Sequence, residues 1–452
     1  MKHSTVIHGP WLAALTLSLA FSGCLSLDEE ARAARAALDT ADSSAAVRWS
    51  EELANESSYS QNLGLVEAGR VRLLRGETAA AETYFRRAVD SAVDRKEKEP
   101  KIKLGDVGNT LLASTLTDDR TRQYYLAPYE LNLALQYGIL AQLFNGRRED
   151  ALVDARLAVY LQDSLAKTYG ADVGTKPKGD DAKANRAANG VYAREHARME
   201  ALMAGTRNSW ENPALWWLTG VLFEMDGDLE MAWQSYRKAH AVLPENPIFS
   251  ADAMRADVGV RMPREGNSRL VVIYEEGFVP MREALKVPVP IYTGMAIDIP
   301  VYRSTAYSPN AVSVSGAEKL VAAAPAVNVR ALAARDLDEH LPGIILRNVT
   351  RAAVQAGAQA AVNANGNEYA QIAMFVGNAV ISALRSADTR SWVTLPDGQQ
   401  VWQETAMKPG EYQLGVSVNG RTVTVPVALK PGETRIVWIA DTGRTFRYQI
   451  SP

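Results

Sequence analysis

Apolar positions recur every three or four residues from Glu29 to about Lys238, a pattern that predicts a run of amphipathic helices. After Pro247 the period changes. Arg269–Tyr274 (RLVVIY) is a short β-branched run that reads as a strand, and Val287–Tyr302 reads as extended chain punctuated by Pro288, Pro290 and Pro300. Proline cannot donate to a sheet ladder, so that stretch predicts an edge strand or an irregular arm. Val312 and Val314 predict one more short strand. Helical spacing returns over Ala331–Glu339 and Leu341–Gln355, and Tyr369–Leu384 follows as sixteen residues without a charge, read as a helix buried against a sheet, with a membrane-dipping segment or an oligomer interface as the alternatives. From Trp392 strands dominate. Tyr412–Val418 alternates, Asn419-Gly420 signals a two-residue hairpin, Thr422–Leu429 pairs back, and Thr434–Ile439 and Phe446–Ile450 complete the set. The expected fold class is α+β. A helical array spans 24–247, and a small antiparallel β domain spans 265–452, completed by Arg269–Tyr274. A helical insertion over about 328–386 covers one face of that domain.

Three stretches of the helical half share a tighter register. Trp216, Gly220, Phe223, Gly227, Ala232, Tyr236, Ala239 and Pro244 resemble in type and spacing a tetratricopeptide unit of about 34 residues. In that register Gly220 and Ala232 face each other across two antiparallel helices, Gly227 turns the chain, and Pro244 ends the second helix. Leu65, Gly69, Gly76, Ala81, Phe85 and Ala88 form an earlier copy, and Leu135, Gly138, Gly146, Ala151, Ala155 and Ala158 another. Equivalent alanines at 81, 151 and 232 lie 70 and 81 residues apart, so degenerate helical pairs such as Glu195–Met203 are expected between the copies. The polar stretch Gly170–Asn189 reads as a mobile loop. Each pair must bury its apolar face on a neighbour, which predicts a packed array. The aromatics of Tyr124–Glu130 are expected between helices. Of Trp216 and Trp217, one ring is expected in the core and the other towards the groove.

Composition describes ordinary globular material, at 47% apolar and 22% charged residues. A net charge of −3 excludes the basic footprint that nucleic acid requires. Cys24 is the only cysteine, so there is no disulfide framework and no thiolate metal site. It follows the apolar run Trp11–Phe21 and the small residues Ser22-Gly23, and the segment resembles a bacterial lipobox with Phe21 where leucine is commoner. The resemblance implies a signal peptide over 1–23 and a diacylglyceryl group on Cys24. The run is shorter than the roughly 20 residues needed to span a bilayer. An ordinary signal would leave a lone thiol in an oxidising compartment. Leu25 follows the cysteine in place of an aspartate, which implies the outer membrane with the chain facing the periplasm.

The block Ala387-Asp388-Thr389-Arg390-Ser391-Trp392-Val393-Thr394-Leu395-Pro396 is the most specific segment of the second half. With the strand run, Leu341-Pro342-Gly343-Ile344, Arg347 with Arg351, and Lys408–Tyr412, it resembles an uncharacterised family of bacterial envelope lipoproteins that carry helical repeats. Those proteins are associated with lipoproteins that activate peptidoglycan synthases, and the resemblance implies no catalytic residue. On the residues themselves, Asp388 can accept from nearby amides, Arg390 can pair with it, and Trp392 can fill a seam between sheet and helix.

Candidate chemistry is sparse. Beyond residue 23 the histidines are His196, His240 and His340, none at metal-ligand spacing from another ligand, and no nucleophile elbow, phosphate loop or zincin motif is present. Asp336, Asp338 and Glu339 beside Arg335 read as a solvated helix face. The expectation is a non-enzymatic, lipid-anchored periplasmic scaffold. It needs no cofactor, and its repeats bind an envelope protein partner through their concave surface, in cell-wall synthesis or envelope assembly. The alternative is an envelope enzyme or glycan-binding module built on the β domain around Asp388, Arg390 and Trp392, with carboxylates brought together from distant positions.

Overall fold

The protein is represented by a computed structural model that describes residues 27–55, 59–98, 123–169, 182–289, 296–316, 321–364 and 387–452. Cys24 and the uncharged stretch Tyr369–Leu384 lie outside the described residues. Helices α1 (Leu27–Leu38) and α2 (Ser44–Asn55) lead into the hairpin of α3 (Gln61–Leu74) and α4 (Thr78–Lys98), then that of α5 (Pro128–Phe144) and α6 (Arg148–Tyr169). The single helix α7 (Ala182–Met199) precedes a third hairpin, α8 (Pro213–Asp226) with α9 (Leu229–Val242), and α10 (Pro247–Asp257) follows. Helix therefore continues past 247, where the sequence pattern suggested an end. Residues 182–189, expected as loop, form the start of α7. The alanines of that segment are strong helix formers, and they outweigh its polarity once α7 packs on a neighbour.

All three hairpins close in the same way. Gly76, Gly146 and Gly227 have φ of 78°, 74° and 90°, a conformation that L side chains resist. Each glycine N–H donates to the carbonyl three residues back (Leu73, Leu143, Glu224), and the next N–H donates to the carbonyl five back (Arg72, Gln142, Phe223). This Schellman closure satisfies helix-end carbonyls that would otherwise be orphaned. Inside the third hairpin the near neighbour of Gly220 is the Tyr236 ring rather than Ala232. A Cβ on Gly220 would lie 2.6 Å from that ring, and one on Gly69 would lie 2.8 Å from the Phe85 ring. Glycine here makes room for an aromatic ring from the second helix, which a comparison of small residues alone does not reveal.

The C-terminal half is layered. Strands β1 (Ser268–Glu276), β2 (Glu283–Pro288), β3 (Ala296–Val301), β4 (Val312–Ser315), β5 (Val321–Ala322) and β6 (Ala324–Asn328) precede the long helix α11 (Val329–Ala364). After it come β7 (Gly398–Met407), β8 (Gly410–Val418), β9 (Arg421–Leu429), β10 (Thr434–Asp441) and β11 (Phe446–Ile450). One sheet has the order β11-β10-β1-β7-β6, a second the order β5-β4-β8-β9, and β2 with β3 forms a separate ribbon. The strands were expected to form a small antiparallel sandwich or sheet. Two sheets pack face to face, and the departure from that expectation is that β1 runs parallel to β10. A parallel pair needs a long crossover, and residues 277–433 supply one. The Asn419-Gly420 hairpin has positive φ at both central residues, as a type I′ turn requires.

Strand β1 is buried at all nine positions, which explains why RLVVIY does not alternate. One face of its sheet, with Leu270, Val272, Trp402 and Ile439, packs on Val314, Leu414, Val416 and Val427 of the four-stranded sheet. The other face, with Val271, Ile273, Val401, Ile436 and Trp438, joins the core of the helices. Helices α3, α5 and α8 are buried nearly all round, and Trp216 and Trp217 are both in the core. Neither ring therefore faces an open groove: Trp217 packs 5.8 Å from Phe249 of α10, and Lys238 of α9 lies 4.9 Å from the Trp216 ring, to the ring centres. Among the described residues no helix is long and apolar enough to cross a membrane.

Two glycines separate packing from propensity. Gly220→Ala is expected to destabilise by about 1–3 kcal/mol because the Tyr236 ring must move. Gly190→Ala, in α7 with nothing within 4 Å of its added Cβ, is expected to stabilise by about 0.5–1 kcal/mol. Urea denaturation of both variants checks the pair, and equal signs would refute the assigned contact.

Candidate functional site

The block 387–396 runs through the seam between helices and sheet. Asp388 and Arg390 form a closed pair: Asp388 Oδ1 accepts from the Arg390 backbone at 3.1 Å and from its Nε at 2.8 Å, and Oδ2 accepts from Nη2 at 2.7 Å. Arg390 Nη1 also donates to the Tyr59 carbonyl at 3.1 Å. Trp392 is 0% exposed, with its ring 6.1 Å from Phe85 and 6.0 Å from Tyr137, centre to centre. The contacts of Arg390 and Trp392 thus join the C-terminal half to the helical half at this seam.

Two carboxylates of the inner helices receive this segment. Glu67 on α3 accepts from Val393 N at 2.6 Å and from Thr394 Oγ1 at 2.5 Å. Glu130 on α5 accepts from Trp392 N and Ala127 N, each at 3.0 Å, and from Tyr124 Oη at 2.7 Å. Burial pushes the Glu67 carboxyl up to about 7 and raises Glu130 as well, despite these hydrogen bonds. Arg35 of α1 donates Nε to Val393 O at 2.6 Å and also reaches Val279 O, and its own burial lowers it to about 10. The tyrosine-rich entry is therefore a binding site for the chain's own segment. Tyr124 and Tyr129 are buried there, and Tyr125 is exposed.

Two further networks tie helices to strands. Arg70 of α3 meets Glu275 of β1 at 2.6 Å, with its guanidinium 4.5 Å from the centre of the Tyr137 ring. Gln399 donates to the same Glu275 at 2.7 Å, Gln136 of α5 donates to Gln399 at 2.9 Å, and Asn212 donates to Gln136 at 2.9 Å. Under the third hairpin, Arg269 of β1 bonds Glu224 at 2.8 Å and Asp252 at 3.2 Å. Arg255 bridges the same two carboxylates, and Tyr236 Oη donates to Glu224 at 2.7 Å. Sequence reading missed these groups. Their signal was a charge inside an otherwise apolar helix, as in Glu67 and Glu224, or at either end of the apolar run within a strand, as in Arg269 and Glu275.

The acids of α11 also differ from expectation. Asp336 and Asp338 are buried, not solvated, because α7 and β3 cover that face. His196 Nδ1 lies 2.7 Å from Asp338 Oδ1, and Ser209 Oγ donates to Glu339 at 2.5 Å. Burial pushes Glu339 to about 7. Nearby, a cavity of about 300 Å³ opens among Arg207, Glu211, Leu243, Tyr307, Val327 and Leu332. Among the described residues no cluster of three His, Cys, Asp or Glu side chains could hold a metal ion.

Because the folded value of Glu67 exceeds the unfolded 4.5, the native state keeps a proton that the unfolded chain has released between about pH 4.5 and 7. Stability contributed by this group thus falls as pH rises through that window and levels off above it. Glu67→Gln is expected to reduce the fall between pH 5 and 8 by about 2–3 kcal/mol, read from urea denaturation at both pH values. An unchanged slope would show that the carboxyl is ionised throughout. Arg269→Leu removes one of the two arginines that neutralise the buried Glu224 and Asp252 and is expected to cost about 3–5 kcal/mol. Arg86→Leu, which breaks a half-exposed pair with Glu82, should cost under about 1 kcal/mol. Similar losses for the two would contradict the buried network.

No protein-family model, no curated protein and no solved structure matches this chain.

Proposed function

We propose that the chain is a lipid-anchored, non-enzymatic scaffold of the bacterial envelope. It is held at Cys24 on the periplasmic face of the outer membrane, and its tetratricopeptide-like helical half binds a protein partner in cell-wall synthesis or envelope assembly. The repeat reading is supported by the three hairpins closed by the same glycine device and sharing one core. Because the inner helices are engaged with the sheet, the partner is assigned to the outer helices α4, α6 and α9. Val153 and Tyr160 on α6 are 61% and 65% exposed and lie seven residues apart, on one face, with Arg156 between them. Exposed apolar and aromatic side chains beside arginine have the composition of interface hot spots. The alternative enzyme or glycan-binding reading draws no support from Asp388, Arg390 and Trp392, whose side chains are taken up by internal contacts.

Cys24→Ser is expected to abolish fatty-acid labelling and leave the precursor unprocessed. Normal maturation of that variant, with unchanged membrane fractionation, would refute the anchor. Photo-crosslinkers at Val153 and Tyr160 in intact envelopes are expected to capture one protein, and Val153→Asp is expected to weaken its binding about tenfold, or about 1.4 kcal/mol. Capture from other faces but not from α6, or hydrolysis of a cell-wall glycan by the intact protein, would overturn this reading.

A further inference from the structure

Two apolar stretches of sequence meet the described structure at the same place. Leu27 opens α1 three residues after Cys24, and Ala387 follows shortly after the uncharged stretch Tyr369–Leu384. Thr389 Oγ1 donates to Asp28 Oδ1 at 3.2 Å, so the first turn of α1 and the chain at 387–390 are side by side. Arg390 extends this edge by donating to the Tyr59 carbonyl at 3.1 Å, and Tyr124 N donates to that carbonyl at 2.6 Å. The backbone at Tyr59 and Tyr124 therefore adjoins this edge, and the side chains of Tyr59 and of the next residue, Tyr125, are 55% and 41% exposed. We propose that this face, made by the first turn of α1, Thr389, Tyr59 and Tyr125, seats the protein on a zwitterionic phospholipid surface with the tyrosine rings at headgroup level.

Distance and chemistry both favour that orientation. Three residues span at most about 10 Å, so acyl chains on Cys24 keep the first turn of α1 within reach of the headgroups. Tyrosine rings, with an apolar body and a polar tip, concentrate at membrane–water interfaces. Anionic leaflets attract clusters of lysine and arginine, whereas this turn presents Asp28, Glu29 and Glu30. Carboxylates in that position can instead accept from the ammonium groups of ethanolamine headgroups. A face held this way turns the exposed edge of the tyrosines towards lipid.

The inference rests on acylation of Cys24, and the test separates the two. Full-length acylated protein carrying Tyr59→Cys, Tyr125→Cys or Met254→Cys is labelled with a thiol-reactive fluorophore. The sulfur of Cys24 is then a thioether and does not react. The control, Met254 on α10, is 64% exposed. In phosphatidylcholine–phosphatidylethanolamine vesicles containing headgroup-spin-labelled lipid, quenching is expected to be several-fold stronger at positions 59 and 125 than at 254. Equal or stronger quenching at 254, or quenching at 59 and 125 only after anionic lipid is added, overturns the proposal. Intact mass identifies which idea has failed. An unmodified Cys24 removes the lipoprotein reading and this orientation together, whereas acylated protein without preferential quenching removes the orientation alone.

Discussion

Buried polar groups on the inner helices are the constraint to which the rest of the structure answers. Glu67, Glu130, Gln136 and Glu224 sit on helices covered nearly all round, and a buried polar group left without a partner costs about 1–3 kcal/mol. Partners within the helical half meet only part of this need, as Tyr124 does for Glu130, Asn212 for Gln136, and Tyr236 with Arg255 for Glu224. Backbone amides of Trp392 and Val393 meet the first two carboxylates, Gln399 meets Gln136, and Arg269 meets Glu224. Every one of those partners comes from the C-terminal half. Such buried polar contacts add little net stability over an apolar seam, but they penalise any other register, because a shifted sheet would strand several polar groups at once.

It follows that the two halves fold around a shared core. Trp392 and Trp438 lie among the rings and aliphatic side chains of the helices, and Arg70 stacks between Tyr137 and Trp438. β1, β7 and the 392–395 segment bond side chains of the inner helices α3, α5 and α8. On the outer helix α6, Val153 and Tyr160 are exposed against the amphipathic pattern. The same arrangement explains the dense chemistry of the block 387–396. Thr389, Trp392 and Thr394 bond α1, α5 and α3, and Asp388 pairs with Arg390, which bonds the Tyr59 carbonyl.

Several parts of this architecture were legible in the chain itself. Three-and-four spacing marked the helices, Gly76, Gly146 and Gly227 marked the turns, and Asn419-Gly420 marked the hairpin, because each reflects a local backbone requirement that one residue type meets best. The apolar run of β1 marked a strand, but only the structure shows that both its faces are covered. Other readings failed for non-local reasons. Asp336 and Asp338 looked solvated because their own helix carries charge, and only the packing of α7 and β3 shows them buried.

The sequence by itself determined which segments are helix or strand, where they turn, and which carry an apolar face, since those properties arise within a few residues. Only the tertiary structure decided which half covers which. The parallel pairing of β1 with β10, the filling of the inner helical face by the sheet, and the meeting of Glu67 with Val393 join residues more than 150 positions apart. Contacts over such separations depend on the simultaneous satisfaction of many buried groups. No local pattern records that condition.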